Sequence, residues 1–134
     1  MYGSFGYELD LALLTEEEKQ EAREQIATYH RYEDLILSGD YYRLSDPAKD
    51  AFCGWSFVAK DGTEALVSAV ILRLCSNDEI FYVKPKGLKS GCIYMEEETG
   101  DCYDADLLMS AGLPLPKEAG EHRAYQFHFI LQPE

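Results

Sequence analysis

The chain has 134 residues, enough for one domain with a modest core, since a chain of this size buries roughly two thirds of its unfolded surface. Apolar residues make up 46% and aromatics 13%, which argues against disorder. Twenty-five acidic residues against 12 basic ones give a net charge of -13, which repels phosphate backbones and anionic lipid surfaces and so excludes nucleic-acid and membrane-surface partners.

The opening stretch MYGSFGYELDL reads as a strand rich in glycine and aromatics. Gly3 and Gly6 are too few for a dinucleotide fingerprint and read instead as close backbone packing or a bend at a strand tip. Glu8 and Asp10, two apart on a strand, point the same way about 7 Å apart. That is near the spacing of paired glycosidase carboxylates. Nothing around them shows a cleft, however, and acids at such a place also serve as ligands of the turn or of a helix N-terminus. Thr15-Glu16-Glu17-Glu18 is a capping box, so a helix starts there. Ala22, Ile26, Tyr29 and Ile36 form its apolar stripe, widened by Tyr32 and Leu35, and Gly39 is expected to supply a left-handed stop. The helix then runs about 23 residues, roughly 35 Å.

Beyond Gly39 helical periodicity gives way to short aromatic and β-branched runs separated by turn residues, the pattern of antiparallel strands. Strands are expected at Tyr41 to Leu44, Phe52 to Ala59, Ala65 to Cys75, Ile80 to Lys84, Cys92 to Glu96 and Arg123 to Leu131. Lys60-Asp61-Gly62-Thr63 predicts a hairpin. In the last strand Tyr125, Phe127, Phe129 and Leu131 share one face, while Gln126 and His128 point the other way to a partly wet side. Asp104 is the expected N-cap of a short helix, Ala105 to Ser110, ended by Gly112 and Pro114. The fold class is therefore mainly β: an antiparallel β-sandwich of Greek-key type, preceded by a strand and one long α-helix. A boundary near Gly39 to Tyr42 divides a strand-plus-helix unit, residues 1–40, from a β-sandwich unit, residues 41–134.

Candidate chemistry is sparse. His30, His122 and His128 fall on a helix, a loop and a strand with no metal-ligand spacing. Asp101, Asp104 and Asp106 lack the glycine and terminal glutamate of a calcium loop. Cys53, Cys75, Cys92 and Cys102 show no Cys-x-x-Cys and read as free thiols of a reducing cytoplasm. No targeting signal and no run near 20 apolar residues is present, so the chain reads as soluble and cytoplasmic. Trp55, among Phe52, Phe57 and Tyr82, is a candidate sugar-stacking platform, although aromatics alternating on strands more often fill a core. No catalytic, metal or cofactor residue is assigned.

Read together, MYGSFGYELDL, the capped helix ending in LILSGDYYRLSDP, the stretch GWSFVAKDGTEALV, and DADLLMSAGLPLP resemble the C-terminal end of bacterial α-galactosidases of glycoside hydrolase family thirty-six. The resemblance spans essentially the whole chain, with the pieces in the family's order. It implies that GYELDL is the last strand of a (β/α)8 barrel, the capped helix its last helix, and the remainder a C-terminal antiparallel β-sandwich. In a barrel the strand ends carry the active site, so the family's two catalytic aspartates would lie on earlier strands. No residue here matches the family's catalytic motifs, and no catalytic role carries over.

The implied parent is a retaining exo-glycosidase acting on terminal α-galactosides of the raffinose type, with a galactoside as partner only in the intact enzyme. Gly3 and Gly6 would then sit near the sugar pocket. The strand from Tyr2 to Leu11 and the stripe of Ile26, Tyr29 and Ile36 would pack on barrel neighbours; alone, they favour self-association or refolding onto the sandwich, and a homo-oligomer is expected. Two rivals remain at this stage. One is a free-standing carbohydrate-binding or scaffolding β-sandwich using Trp55. The other is a small hydrolase using Glu8 and Asp10.

Overall fold

The computed structural model describes residues 5–8, 10, 12–46, 48–73, 80–116 and 123–133. Helix α1 (Glu16–Ser38) starts at the expected capping box: Thr15 Oγ1 accepts from the Glu18 amide at 3.2 Å, and the Glu18 carboxylate accepts from the Thr15 amide at 2.8 Å. The C-terminal half of its stripe is buried, through Tyr29, Tyr32, Leu35 and Ile36. Ile26 on the same stripe stays 39% exposed, because the apolar cluster that covers α1 begins at Tyr29.

The left-handed stop expected at Gly39 does not occur. Gly39 is extended, with φ -70° and ψ 166°, and its amide donates to the Leu35 carbonyl at 2.9 Å. Glycine is required there for room: a Cβ would lie 2.5 Å from the Leu35 carbonyl oxygen and 2.9 Å from that of Val58. The helix end and the sheet therefore touch backbone to backbone, and β1 begins at the next residue.

Among its described residues, the opening segment forms no strand within this chain. Residues 5–8 and 10 have no ladder pairing. A strand without a neighbour leaves its amides and carbonyls unpaired, and this segment instead lies along α1. Phe5 stacks on Tyr29 with ring centroids 5.5 Å apart, and the Tyr7 hydroxyl donates to the Gln25 side chain. Tyr2, Gly3 and Leu11 lie outside the described residues.

After α1 come β1 (Asp40–Arg43), β2 (Phe52–Val58), β3 (Glu64–Ile71), β4 (Tyr82–Val83), β5 (Ile93–Glu96), β6 (Cys102–Asp104), helix α2 (Ala105–Ser110), β7 (Leu113–Pro114) and β8 (Ala124–Leu131). A six-stranded sheet has the order β1-β2-β3-β8-β5-β6, and a two-stranded sheet pairs β4 with β7. All these pairings are antiparallel. The last strand thus inserts between β3 and β5, which are separated from it by long stretches of chain. The sequence pattern missed β6 and β7, whose three and two residues are too short to show a period of two. It overran β4, which keeps two residues, and placed β3 beyond its end at Ile71, with Cys75 outside the described residues.

The predicted hairpin forms. The Ala59 amide donates to the Glu64 carbonyl at 2.8 Å, and Gly62 takes the left-handed φ of 69° that its turn needs. Asp61 fastens the turn by accepting from the Thr63 amide and hydroxyl. Those bonds, the hydroxyl first, hold the Asp61 carboxyl below its ordinary range.

The period of two sorts the sheet into two covered faces. Val58, Ala65, Val67, Ala69, Ile71 and Phe129 point to one side, where Val83, Leu88, Ala105, Leu108, Leu113 and Leu115 close over them. Trp55, Phe57 and Leu66 point to the other, against Tyr29, Tyr32, Leu35 and Ile36 of α1. The second layer of the expected sandwich is therefore built from β4, β7, α2 and their connections, and α1 forms a third layer. Burial on both faces explains why the middle of β2 and β3 reads as continuous runs of buried residues instead of an alternation.

Candidate functional site at the helix and sheet junction

The expected site residues separate in the structure. Gly3 lies outside the described residues, and Gly6 is exposed with nothing within 4 Å of where a Cβ would stand, so close packing does not account for it here. Glu8 is exposed, and Asp10 serves the turn before α1: its carboxylate accepts from the Ala12 amide at 2.9 Å and its carbonyl from the Leu13 amide at 3.0 Å. Asp104 caps α2 through the Leu107 amide, while Asp106 accepts from Ser90 and from the Gly91 amide. Among the described residues no group of three or more His, Cys, Asp or Glu side chains could hold a metal ion. Cys53, Cys92 and Cys102 are free thiols.

Trp55 is 8% exposed and lies in the cluster that joins β2 to α1. A sugar platform needs an open aromatic face, and this ring spends its area on the core. Its rim borders a shallow hollow of about 300 Å³ shared with Ser68, Val70, Tyr125 and Gln126.

A polar cluster that sequence reasoning did not single out occupies the junction of α1 and the sheet. His128 of β8 is 8% exposed, on the face opposite Phe127 and Phe129 as the alternation requires. Its Nδ1 lies 2.5 Å from a Glu97 carboxylate oxygen and its Nε2 lies 2.7 Å from one of Glu64. Arg31 of α1 donates to the same Glu97 oxygen, and the Tyr32 ring meets the imidazole edge-on at 4.9 Å between centroids. The Arg31 guanidinium stands over the Tyr32 ring at 5.3 Å. Beside them opens a cleft of about 630 Å³, lined also by Thr28, Glu96, Glu98 and Gln126.

The register explains the assembly. Leu66 pairs with His128 and Glu96 with Phe129, so Glu64 is a diagonal neighbour of His128, and Glu97 follows the end of β5. Electrostatics follow geometry: the His128 hydrogen bond, opposed by partial burial and aided by the charges of His128 and Arg31, holds the Glu97 carboxyl below its ordinary range. Burial pushes Glu96 the other way, but the Thr99 and Glu98 amides, at 2.8 and 3.2 Å, help to outweigh it and the net shift is downward. Tyr32 is raised, first by burial and then, against Arg31, by the surrounding glutamates. The signal for this site was a lone histidine on the polar face of β8 together with the MEEET run, but only tertiary pairing brings Glu64, Glu97 and Arg31 to it.

These contacts join elements: His128, Glu64, Glu97 and Arg31 are engaged with one another across α1, β3, β8 and the end of β5. What they define is a β domain with a helix clasped to its sheet. The chain belongs to the family described as the glycosyl hydrolase family 36 C-terminal domain, whose pattern matches residues 52–129. It is 50% identical over 129 residues to the bifunctional alpha-galactosidase/sucrose kinase AgaSK of Mediterraneibacter gnavus, covering 96% of this chain and 14% of that protein. It is 40% identical over 121 residues to the alpha-galactosidase AgaA of Geobacillus stearothermophilus, covering 90% of this chain and 16% of that one. The solved galactosidase domain of AgaSK matches with a TM-score of 0.90 and 48% identity, over 96% of this chain and 18% of the other. A doubly substituted variant of AgaA, solved in complex with raffinose, matches with a TM-score of 0.88 and 35% identity, over 96% of this chain and 18% of the other. The chain therefore spans less than a fifth of the length of these relatives.

Proposed function

We propose that this chain is the C-terminal part of an α-galactosidase, in which residues 1–40 supply the last strand and helix of a (β/α)8 barrel and residues 41–134 form the domain that braces it. The intact enzyme would remove terminal α-linked galactose from raffinose-type oligosaccharides, with catalytic carboxylates on other barrel strands. The chain itself would be catalytically silent. The observation that carries this reading is the joint likeness of α1 and the sheet to solved α-galactosidases, over nearly all of this chain and under a fifth of theirs.

The clasp gives the brace a physical form. Helix α1 would face the barrel with the N-terminal half of its stripe, left open by this chain around Ala22 and Ile26, while Tyr29, Tyr32, Leu35 and Ile36 hold the C-terminal half to the sheet. Leu13, at 82% exposed, and Ile26 are apolar surface that a barrel or a second copy would cover, in keeping with a homo-oligomer. Among the described residues no helix is long and apolar enough to cross a membrane. A cytoplasmic location fits the free thiols.

Two measurements test the reading. An antibody against this chain should detect, in the source cells, a polypeptide several times its size with α-galactosidase activity. The 134-residue chain alone should release no galactose from raffinose, and raffinose should leave the fluorescence of its single tryptophan, Trp55, unchanged. A band of the chain's own size, or turnover by the isolated chain that vanishes in Glu8→Gln or Asp10→Asn, would overturn it.

A further inference from the structure

We propose that His128 is a proton-dependent clasp that positions α1: its ring ties Glu64 of β3 to Glu97 beneath Tyr32 and Arg31, and it bonds both carboxylates only while it carries two protons. The argument is one of donors and acceptors. An ionised carboxylate only accepts, and a neutral imidazole offers one N–H and one lone pair. With Glu64 at 2.7 Å from Nε2 and Glu97 at 2.5 Å from Nδ1, one contact becomes lone pair against carboxylate when the ring loses a proton.

Groups from every neighbouring element enclose the ring. His128, 8% exposed, lies beneath Tyr32 and Arg31 from α1, beside Glu64 from β3 and Glu96, Glu97 and Glu98 from β5 and its turn, at the edge of the cleft. Arg31 reaches the sheet through Glu97. Loosening at the ring thus reaches α1 through Glu97 to Arg31 and through the edge-on Tyr32 ring, and passes from Tyr29 to the stacked Phe5 of the leading segment. His30, on the same helix, is the internal contrast: it is exposed and meets the single carboxylate of Glu33 at 3.0 Å, so its ring can lose a proton without releasing a second partner. The inference stands on this chain's own contacts and holds whether or not the intact protein is a glycosidase. His128 is a positioning residue and touches no substrate.

The test uses the full 134-residue chain. The ring nitrogens of His128 are followed by 15N NMR against pH, together with amide hydrogen exchange corrected for its intrinsic pH dependence. As the ring loses one proton, protection of the Tyr32, Leu35 and Ile36 amides should fall about tenfold, the scale of one charge-assisted hydrogen bond. Protection within β3 should hold. His128→Gln should abolish the step. So should Glu64→Gln, whose amide can donate to the ring lone pair and keep α1 docked. Ring titration without change in α1 protection would overturn the proposal. If His128→Gln does not fold, Glu64→Gln decides alone: a step that persists in it overturns the clasp.

Discussion

On the side of β4, β7 and α2, the six-stranded sheet meets an apolar layer in which Phe129, Ala65, Ala69 and Tyr94 are fully buried. On the side of α1, an apolar patch of Trp55, Phe57 and Leu66 runs out into His128, Glu64, Glu97 and Arg31. The first face resembles the interior of any small domain: polar groups are few, the buried Ser56 hydroxyl has no hydrogen-bond partner among the described residues, and others are satisfied inside. Tyr94 is the example: its hydroxyl donates to the Gly62 carbonyl at 2.6 Å and accepts from the Lys89 amide at 3.0 Å, pinning the β2–β3 turn to the core. The second face is a junction. Its apolar part supplies adhesion, and its charged rim supplies direction, because hydrogen bonds between named partners fix where on the sheet the helix sits.

If that contrast is right, truncation on the two faces should differ in size and in reach. Phe129→Ala, at the centre of the apolar face, should cost about 4 kcal/mol in urea unfolding, with protection lost throughout the sheet. A cost below about 2 kcal/mol would show that this layer collapses around the gap and is no continuous core. Leu35→Ala on the helix face should cost about 3 kcal/mol. Its loss of exchange protection should concentrate in α1; equal loss in β3 and β8 would dissolve the distinction between core and junction.

A backbone test sharpens the first face further. Gly87 has φ 81°, and a Cβ there would lie 2.6 Å from the Tyr42 ring, so Gly87→Ala should cost about 2 kcal/mol by calorimetry through strain and displacement of Tyr42. At the far end of α1, Thr15→Ala removes one half of the capping box and should cost about 1 kcal/mol, read as fraying of the first turn by circular dichroism. The clasp rim should be left untouched.

The smallest expected effect is the acid limb. Glu97 is held below its ordinary value of 4.5, so the folded chain takes up that proton at lower pH than the unfolded one. Its contribution is whole above that value and is lost as pH falls through the depressed one. Glu97→Gln should therefore flatten the acid limb of a stability against pH curve. An unchanged limb would place the acid sensitivity elsewhere, at Asp61 or Asp106, whose carboxyls are lowered by their own hydroxyl and amide donors.

Local chemistry by itself determined a good part of this molecule. The start of α1 followed from Thr15 and Glu18, that of α2 from Asp104, the first hairpin from Asp61-Gly62, and the two faces of β8 from its alternation, because each depends on partners within a few residues. Tertiary structure decided the rest. The insertion of β8 between β3 and β5, the closure of both sheet faces, and the meeting of Arg31, Glu64, Glu97 and His128 join residues far apart in the chain, and no short-range pattern encodes such pairings. Gly39 is the sharpest case. Its presence after a helix invited a left-handed cap, yet what excludes a side chain there is a pair of carbonyl oxygens, that of Leu35 in the helix at 2.5 Å and that of Val58 at 2.9 Å, the second brought beside it by the pairing of β1 with β2.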